Sequence, residues 1–228
     1  FDADRIEGNK VLVKTLPNKT KFTTLDEKER ELHEKDLMIC NGKSEGMCIA
    51  GVFGGTKSGV TESTKNIFLE SAYFSADWVR ATAQRHTLST DASFRYERGT
   101  DPEMTVNALK LATTLILDIA GGKVSSEVID IYPKPIKEKE IEITFQNFHW
   151  LIGKSLDHKL ILDILNWLDI KTENVTDKGF KAIVPAYRSD VTRPADLVEE
   201  VLRIYGFNEV ELDEDFSADY LAEFNEFE

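Results

Sequence analysis

Apolar positions in the first forty residues come in short alternating pieces. Val11-Leu12-Val13 sits between lysines, and Phe22-Thr23-Thr24-Leu25 reads as a second strand. Leu37-Met38-Ile39-Cys40 runs into Asn41-Gly42, a strong turn signal. Residues 47–53 form an apolar run long enough for a buried strand, stopped by Gly54-Gly55. Together these predict a hairpin. Residues 66–74 again read as strand. A helix is predicted over 75–85, with Ser75 as cap and Val79 and Ala83 four apart. The clearest helix is 102–120, where Met104, Ala108, Leu111, Ala112, Leu115, Ile116 and Ile119 follow the helical period. Asp101 suits its cap, Pro102 its first position and Gly121-Gly122 its end.

Pro133 and Pro135 stiffen a charged stretch over 133–140, the best linker in the chain. Beyond it, Ile141-Glu142-Ile143-Thr144-Phe145 alternates as a strand. Leu160, Ile161, Ile164, Leu165 and Leu168 share one helical face, residues 180–185 form another strand, and 197–205 another helix. The expected organisation is a first domain over 1–133 and a second over 138–212, the latter small but able to fold alone. Residues 213–228 are acidic with interspersed aromatics and receive no assignment. There is no internal repeat and no low-complexity segment.

Composition narrows the class. In 228 residues, 41% apolar and 10% aromatic content supports packed cores and excludes a mainly disordered chain. No run of about 18 apolar residues exists to span a membrane. The start, Phe1-Asp2-Ala3-Asp4-Arg5, lacks both a signal peptide's features and a methionine, so the chain reads as cut from something longer. Net charge is −13 and the pI about 4.9, which argues against non-specific nucleic-acid binding by the whole chain. Cys40 and Cys48 read as reduced cytosolic thiols. His33, His86, His149 and His158 are too scattered to make a zinc site with them.

Three segments carry candidate chemistry. Residues 90–102, TDASFRYERGTDP, mix charge and aromatics without a clean period. They read equally as a salt-bridged turn and as a functional segment. Gly54-Gly55-Thr56-Lys57-Ser58-Gly59 fails the phosphate-loop pattern, because Lys57 precedes Ser58-Gly59 and no helix follows. Glycines after a strand serve a tight turn or a close backbone approach, of which a ligand wall is the functional version. Asp196, Glu199 and Glu200 fall at i, i+3 and i+4 on one helical face, with Asp190 just ahead. Converging carboxylates suit a hard divalent cation. Acids in a first helical turn marked by Pro194 also suit the helix dipole, and on the residues alone that capping reading is the stronger.

Taken together, GVFGGTKSGV (51–60), IFLESA (67–72), TDASFRYERGTDP and VPAYRSDVTRPADLVEEVLRIYGF (184–207) resemble the β subunit of bacterial phenylalanine–tRNA ligase over about residues 1–212. The resemblance implies an α+β chain. Its first part would be a mixed α/β B3/B4 editing domain. Its second would be a small B5 domain similar to winged-helix and helix-turn-helix DNA-binding folds. It implies hydrolytic editing of mischarged tyrosyl-tRNA(Phe), within a cytoplasmic α₂β₂ enzyme that uses ATP to attach phenylalanine to its tRNA. A pocket for phenylalanine cannot strongly reject an isostere that only adds a hydroxyl, so a second, hydrolytic site is needed.

By motif matching, Gly54 would line the amino-acid pocket with close backbone and Glu70 would recognise the substrate. Thr90 and Ala92 would complete the wall, with Glu70 and Thr90 as the catalytic pair and a positioned water as nucleophile. The resemblance moves Asp190, Asp196, Glu199 and Glu200 toward ligands of a Mg²⁺ ion shared with the α subunit. The partners implied are that subunit and tRNA(Phe), with no membrane and no DNA. An editing-site histidine and the tRNA-binding segments of the family stand outside this sequence, which fits its acidic balance. The competing class is a non-catalytic scaffold fragment for the α subunit and tRNA.

Overall fold

The structure is a computed structural model and describes residues 1–211. The acidic stretch 213–228 lies outside the described residues. The chain divides into two compact units, Phe1–Lys137 with Ala186–Ser189, and Glu138–Pro185 with the chain from Asp190 on. The division falls between Lys137 and Glu138, and the four residues Ala186–Ser189 group with the first unit.

The first unit contains β1 (Val11–Thr15), β2 (Lys21–Thr23), β3 (Glu29–Glu31), β4 (Leu37–Asn41), β5 (Gly46–Ile49) and β6 (Phe53–Gly54). Helices α1 (Ala76–His86), α2 (Asp91–Tyr96) and α3 (Thr105–Ala120) follow. The expected hairpin is present as β4 and β5, at the centre of an antiparallel sheet ordered β1-β4-β5-β6. Met38 pairs with Ile49 and Ile39 with Cys48, and a register shift then sets Cys40 against Gly46. Met38, Ile39, Cys40 and Asn41 are buried in succession, so β4 is covered on both faces. Phe22 of the small β2–β3 hairpin joins that core. A Cβ at Gly55 would stand 2.6 Å from the Phe22 ring, so a side chain there would push the hairpin away.

Helix α1 is pinned at its C-terminal end by a fully buried carboxylate. Asp36 accepts hydrogen bonds from the Thr82 hydroxyl at 3.1 Å and the His33 amide at 2.8 Å. It pairs with Arg85, and His86 Nε2 lies 2.6 Å away. Burial alone would raise this carboxyl's pKa. The bonds from His86 and the His33 amide, with the charges of His86 and Arg85, outweigh burial and hold it below the usual carboxylate range.

Two expectations change here. Residues 66–74 form no strand. Ile67 makes one isolated bridge to Asp2, and the backbone is held instead by Ala3 N–H to the Asn66 carbonyl and Phe68 N–H to the Phe1 carbonyl. The apolar residues there have no neighbouring strand to pair with. Helix α3 forms as its period predicts, yet none of its residues is buried.

The second unit contains β7 (Lys139–Thr144), α4 (Phe145–Ile152), α5 (His158–Trp167), β8 (Lys171–Glu173), β9 (Gly179–Val184) and α6 (Pro194–Tyr205). Its antiparallel sheet is ordered β7-β9-β8. Burial alternates along β7, and Ile141 and Ile143 face a core with Phe148, Ile164, Leu165, Ala182, Leu197 and Val201. Helix α4 was not legible in the sequence. It starts at a reciprocal cap in which the Asn147 amide donates to the Thr144 hydroxyl and the Thr144 amide to Asn147 Oδ1. The chain is thus α+β in two units.

Candidate functional site

The segment 90–102 contains a helix that its mixed composition concealed. Thr90 caps α2: the Ser93 amide donates to its hydroxyl at 3.0 Å, and the Thr90 amide donates back to Ser93 Oγ at 2.9 Å. The Thr90 hydroxyl donates its own proton to the Val52 carbonyl at 2.6 Å. At the other end of α2, the Tyr96 hydroxyl donates to the Ala72 carbonyl at 3.0 Å. One short helix is therefore tied at its start two residues from Gly54 and at its end two residues from Glu70. This stitching brings Gly54, Glu70, Thr90 and Ala92 into one region of the first unit. Gly51 sits inside it with φ +67°, where a Cβ would press on Phe74, Val79 and Tyr96.

Each predicted residue has a definite place. Gly54 accepts the Leu25 amide at 3.0 Å, and a Cβ there would meet Leu25 Cδ1 at 2.9 Å. Its missing side chain thus makes room for Leu25. Ala92 lies exposed in the first turn of α2, and Thr90 is half-buried. Glu70 is exposed as a residue, yet desolvation pushes its carboxyl above the usual range, with the Phe1 α-amino group pulling the other way.

Cys48 and Tyr96 are the neighbours that sequence reasoning missed. Burial, then the charge of Glu70, pushes the Cys48 thiol up to about 12. Burial, then Glu70, then Cys48, raises the Tyr96 hydroxyl. The thiol stays protonated and is no nucleophile. What the region offers is a poised carboxyl beside two weak acids.

The carboxylates of the second unit are arranged otherwise. Asp196 accepts from the Thr192 amide at 2.8 Å, the Thr192 hydroxyl at 3.0 Å and the Arg193 amide at 2.9 Å, and Arg193 Nη2 lies 3.0 Å from it. The Arg193 and Thr192 bonds hold its carboxyl far below the usual range. Glu200 is buried and accepts from Arg203 Nη2 at 3.0 Å, while Glu199 is exposed. Asp190 has interactions of its own within the protein. Among the described residues, no group of three or more His, Cys, Asp or Glu side chains is placed to hold a metal ion. Asp196 caps α6 with Arg193 supplying the positive charge, while Glu200 pairs with Arg203.

The comparisons with known proteins now bear on both units. Residues 1–121 match the model of the B3/4 domain, and residues 141–207 that of the tRNA synthetase B5 domain. The chain belongs to the B3/4 domain family. It is 51% identical over 212 residues to a phenylalanine–tRNA ligase β subunit of Bacteroides fragilis. It is 48% identical to that of Porphyromonas gingivalis and 40% to that of Geobacter metallireducens. These matches cover 93%, 93% and 92% of this chain and 26% of each relative. The chain thus spans about a quarter of the length of the curated relatives it matches.

A cavity of about 220 Å³ in the B3/4 unit lies beside the stitched region and not in it. It is lined by Leu37, Ala50, Phe74, Trp78, Val79 and Thr82 among others. Phe74 stands between the two, lining the cavity and packing its ring 5.1 Å from that of Tyr96. The cavity's wall is mostly apolar, and none of Gly54, Glu70, Thr90 or Ala92 reaches it. No helix among the described residues is long and apolar enough to cross a membrane.

Proposed function

We propose that this chain works as part of a phenylalanine–tRNA ligase β subunit, and that its B3/4 unit hydrolyses mischarged tyrosyl-tRNA(Phe). The observation that carries the reading is the pair of backbone ties of α2, which fasten its start beside the turn that holds Gly54 and its end beside the segment that holds Glu70. Editing must spare the phenylalanyl ester, which is smaller than the tyrosyl ester, so size exclusion cannot do it. A polar group that hydrogen-bonds the phenol hydroxyl can, because a site built for a hydroxyl rejects the analogue lacking it. Glu70 is that group.

Thr90 pairs with Glu70 in this reading: its hydroxyl donates to the Val52 carbonyl and so offers a lone pair, not a proton, to a water beside the ester. Ala92 keeps the first turn of α2 small. The ester is already activated, and a water positioned against it completes the reaction. The partners are the α subunit and tRNA(Phe), the setting is the cytoplasm, and ATP serves the aminoacylation site of the whole ligase. Asp190, Asp196, Glu199 and Glu200 would supply oxygen ligands to a Mg²⁺ ion shared with the α subunit, and no step is routed through it.

The test uses the assembled ligase. Ala92→Trp is expected to cut tyrosine release from tyrosyl-tRNA(Phe) by roughly tenfold or more, since the indole would occupy the space of the bound ester and ~1.4 kcal/mol of lost transition-state binding is already tenfold. Charging with phenylalanine is expected to stay unchanged. Tyrosine release at the normal rate would overturn the assignment.

A further inference from the structure

An open pocket of about 610 Å³ lies wholly within the B5 unit, a size that suits a small-molecule ligand. Its floor is apolar: Phe145, Phe148, Leu156 and Ile161 line it and are all buried. Its rim is polar, with Gln146, His149, Ser155, His158, Asp177 and Lys178 exposed around it. None of these six side chains makes a hydrogen bond or ion pair to a described residue. The rim is nonetheless held in place. The Phe145 amide donates to the Lys178 carbonyl at 3.0 Å, which fixes the turn before β9 against the start of α4. Within that turn the Thr176 hydroxyl accepts from the Gly179 amide at 3.2 Å and donates to the Gly179 carbonyl at 3.0 Å. The His158 imidazole lies flat on the Phe145 ring, with centroids 3.7 Å apart and planes 5° apart. An exposed imidazole gives up side-chain freedom to keep such a stack.

We propose that this pocket binds a small aromatic anion, a planar ring that carries a phosphate or a carboxylate. The stacked pair is the platform, and a ligand ring laid on the imidazole continues the Phe145–His158 stack. The donors select the anion. Lys178 brings a positive charge and three N–H donors, and His149 and His158 each bring at least one N–H, against the single carboxylate of Asp177. Asp177 accepts only, and suits a ring N–H or a hydroxyl of the ligand. Gln146 and Ser155 can donate or accept at the ring edge. Other classes fit less well. An aliphatic ligand would set polar side chains against hydrocarbon with no bond to make. A bare inorganic anion would leave the apolar floor uncovered. A nucleic-acid strand would need a cationic face, and the chain carries a net charge of −13. The pocket shares no residue with the region proposed for ester hydrolysis, so neither reading depends on the other.

The test titrates the 228-residue chain with adenosine monophosphate and with indole-3-acetate, one probe for each anion, and follows backbone amide shifts by nuclear magnetic resonance. Saturable shifts over 144–149, 155–161 and 177–178 are expected with at least one of the two. The tighter probe tells phosphate from carboxylate. The half-ligands adenosine, inorganic phosphate, indole and acetate are each expected to bind about tenfold or more weakly than the probe that contains them. His158→Ala removes the platform and Lys178→Ala the charge, and each is expected to raise the dissociation constant of the tighter probe about tenfold. Lys178 is exposed and outside the core, so its variant reads the site should His158→Ala fail to fold. No saturable shift with either probe at millimolar concentration overturns the proposal. So does a half-ligand that binds as well as the whole probe, an unchanged dissociation constant in either folded variant, or a set of shifts centred elsewhere in the chain.

Discussion

Helices α3 and α6 look alike in sequence and differ in what they bury. Each is amphipathic, each opens near a proline and each is followed by glycine. Helix α6 buries Leu197, Val198, Glu200 and Val201, while α3 buries nothing. The difference lies in the surroundings. Helix α6 packs on α4, α5 and β7 within a unit of modest size. No residue of α3 belongs to the core of the B3/4 unit. A helical period fixes where an apolar face points, and only a neighbouring element makes that face a core.

The sharpest way to test the contrast is to truncate a buried side chain of α6. Leu197 has no exposed surface and sits inside the core of the B5 unit. Leu197→Ala is expected to destabilise that unit by about 3 kcal/mol, through lost burial and the cavity left behind. Amide exchange in β9 reads this unit alone and should quicken by about a hundredfold. A change under ~1 kcal/mol would mean that α6 is no better packed than α3.

The caps give a smaller effect with a pH signature. Asp196→Ala removes the acceptor of the Thr192 and Arg193 bonds, and the B5 unit is expected to lose about 1–2 kcal/mol. The folded-state pKa of Asp196 lies below its unfolded value. Its stabilisation is therefore complete above the unfolded value, roughly 3.9, and is lost as pH falls through the folded value. Denaturant melts should show a constant gap between wild type and variant from neutral pH down to about 5, narrowing in stronger acid. A gap that widens in acid would contradict the capping geometry. Added magnesium should leave both curves where they are if Asp196 serves only as a cap.

These contrasts also show what the sequence could convey. The hairpin of β4 and β5 was legible because Asn41-Gly42 marks the turn between two apolar runs. Helices α1, α5 and α6 were legible from their period. Helix α2 was hidden because its six residues hold too little periodicity. Its one local signal is Thr90 three residues before Ser93, a cap pair easily read as a turn. Residues 66–74 read as strand because their apolar content suits one, but a strand needs a partner edge, and that is not a local property. The assignment of Gly54, Glu70, Thr90 and Ala92 rests on long motifs and not on any local period. Cys48 and Tyr96 were missed because their link to Glu70 runs through space and not through spacing. The α6 acids have the spacing of cation ligands and the geometry of a cap, and only the position of Arg193 separates the two.

The smallest expected effect bears most directly on the contrast. Leu115 lies on the apolar face of α3 and is half exposed. In this chain, Leu115→Ala removes no core contact, and alanine is at least as good a helix former as leucine. The stability of the B3/4 unit should shift by less than about 0.5 kcal/mol, read from its denaturant midpoint. A cost of about 2–3 kcal/mol, as for a buried leucine, would mean that α3 is packed where it appears bare, and the contrast with α6 would fall. A negligible cost would mark α3 as a solvated helix held by its own backbone bonds, in contrast to α6, whose apolar face is its packing surface.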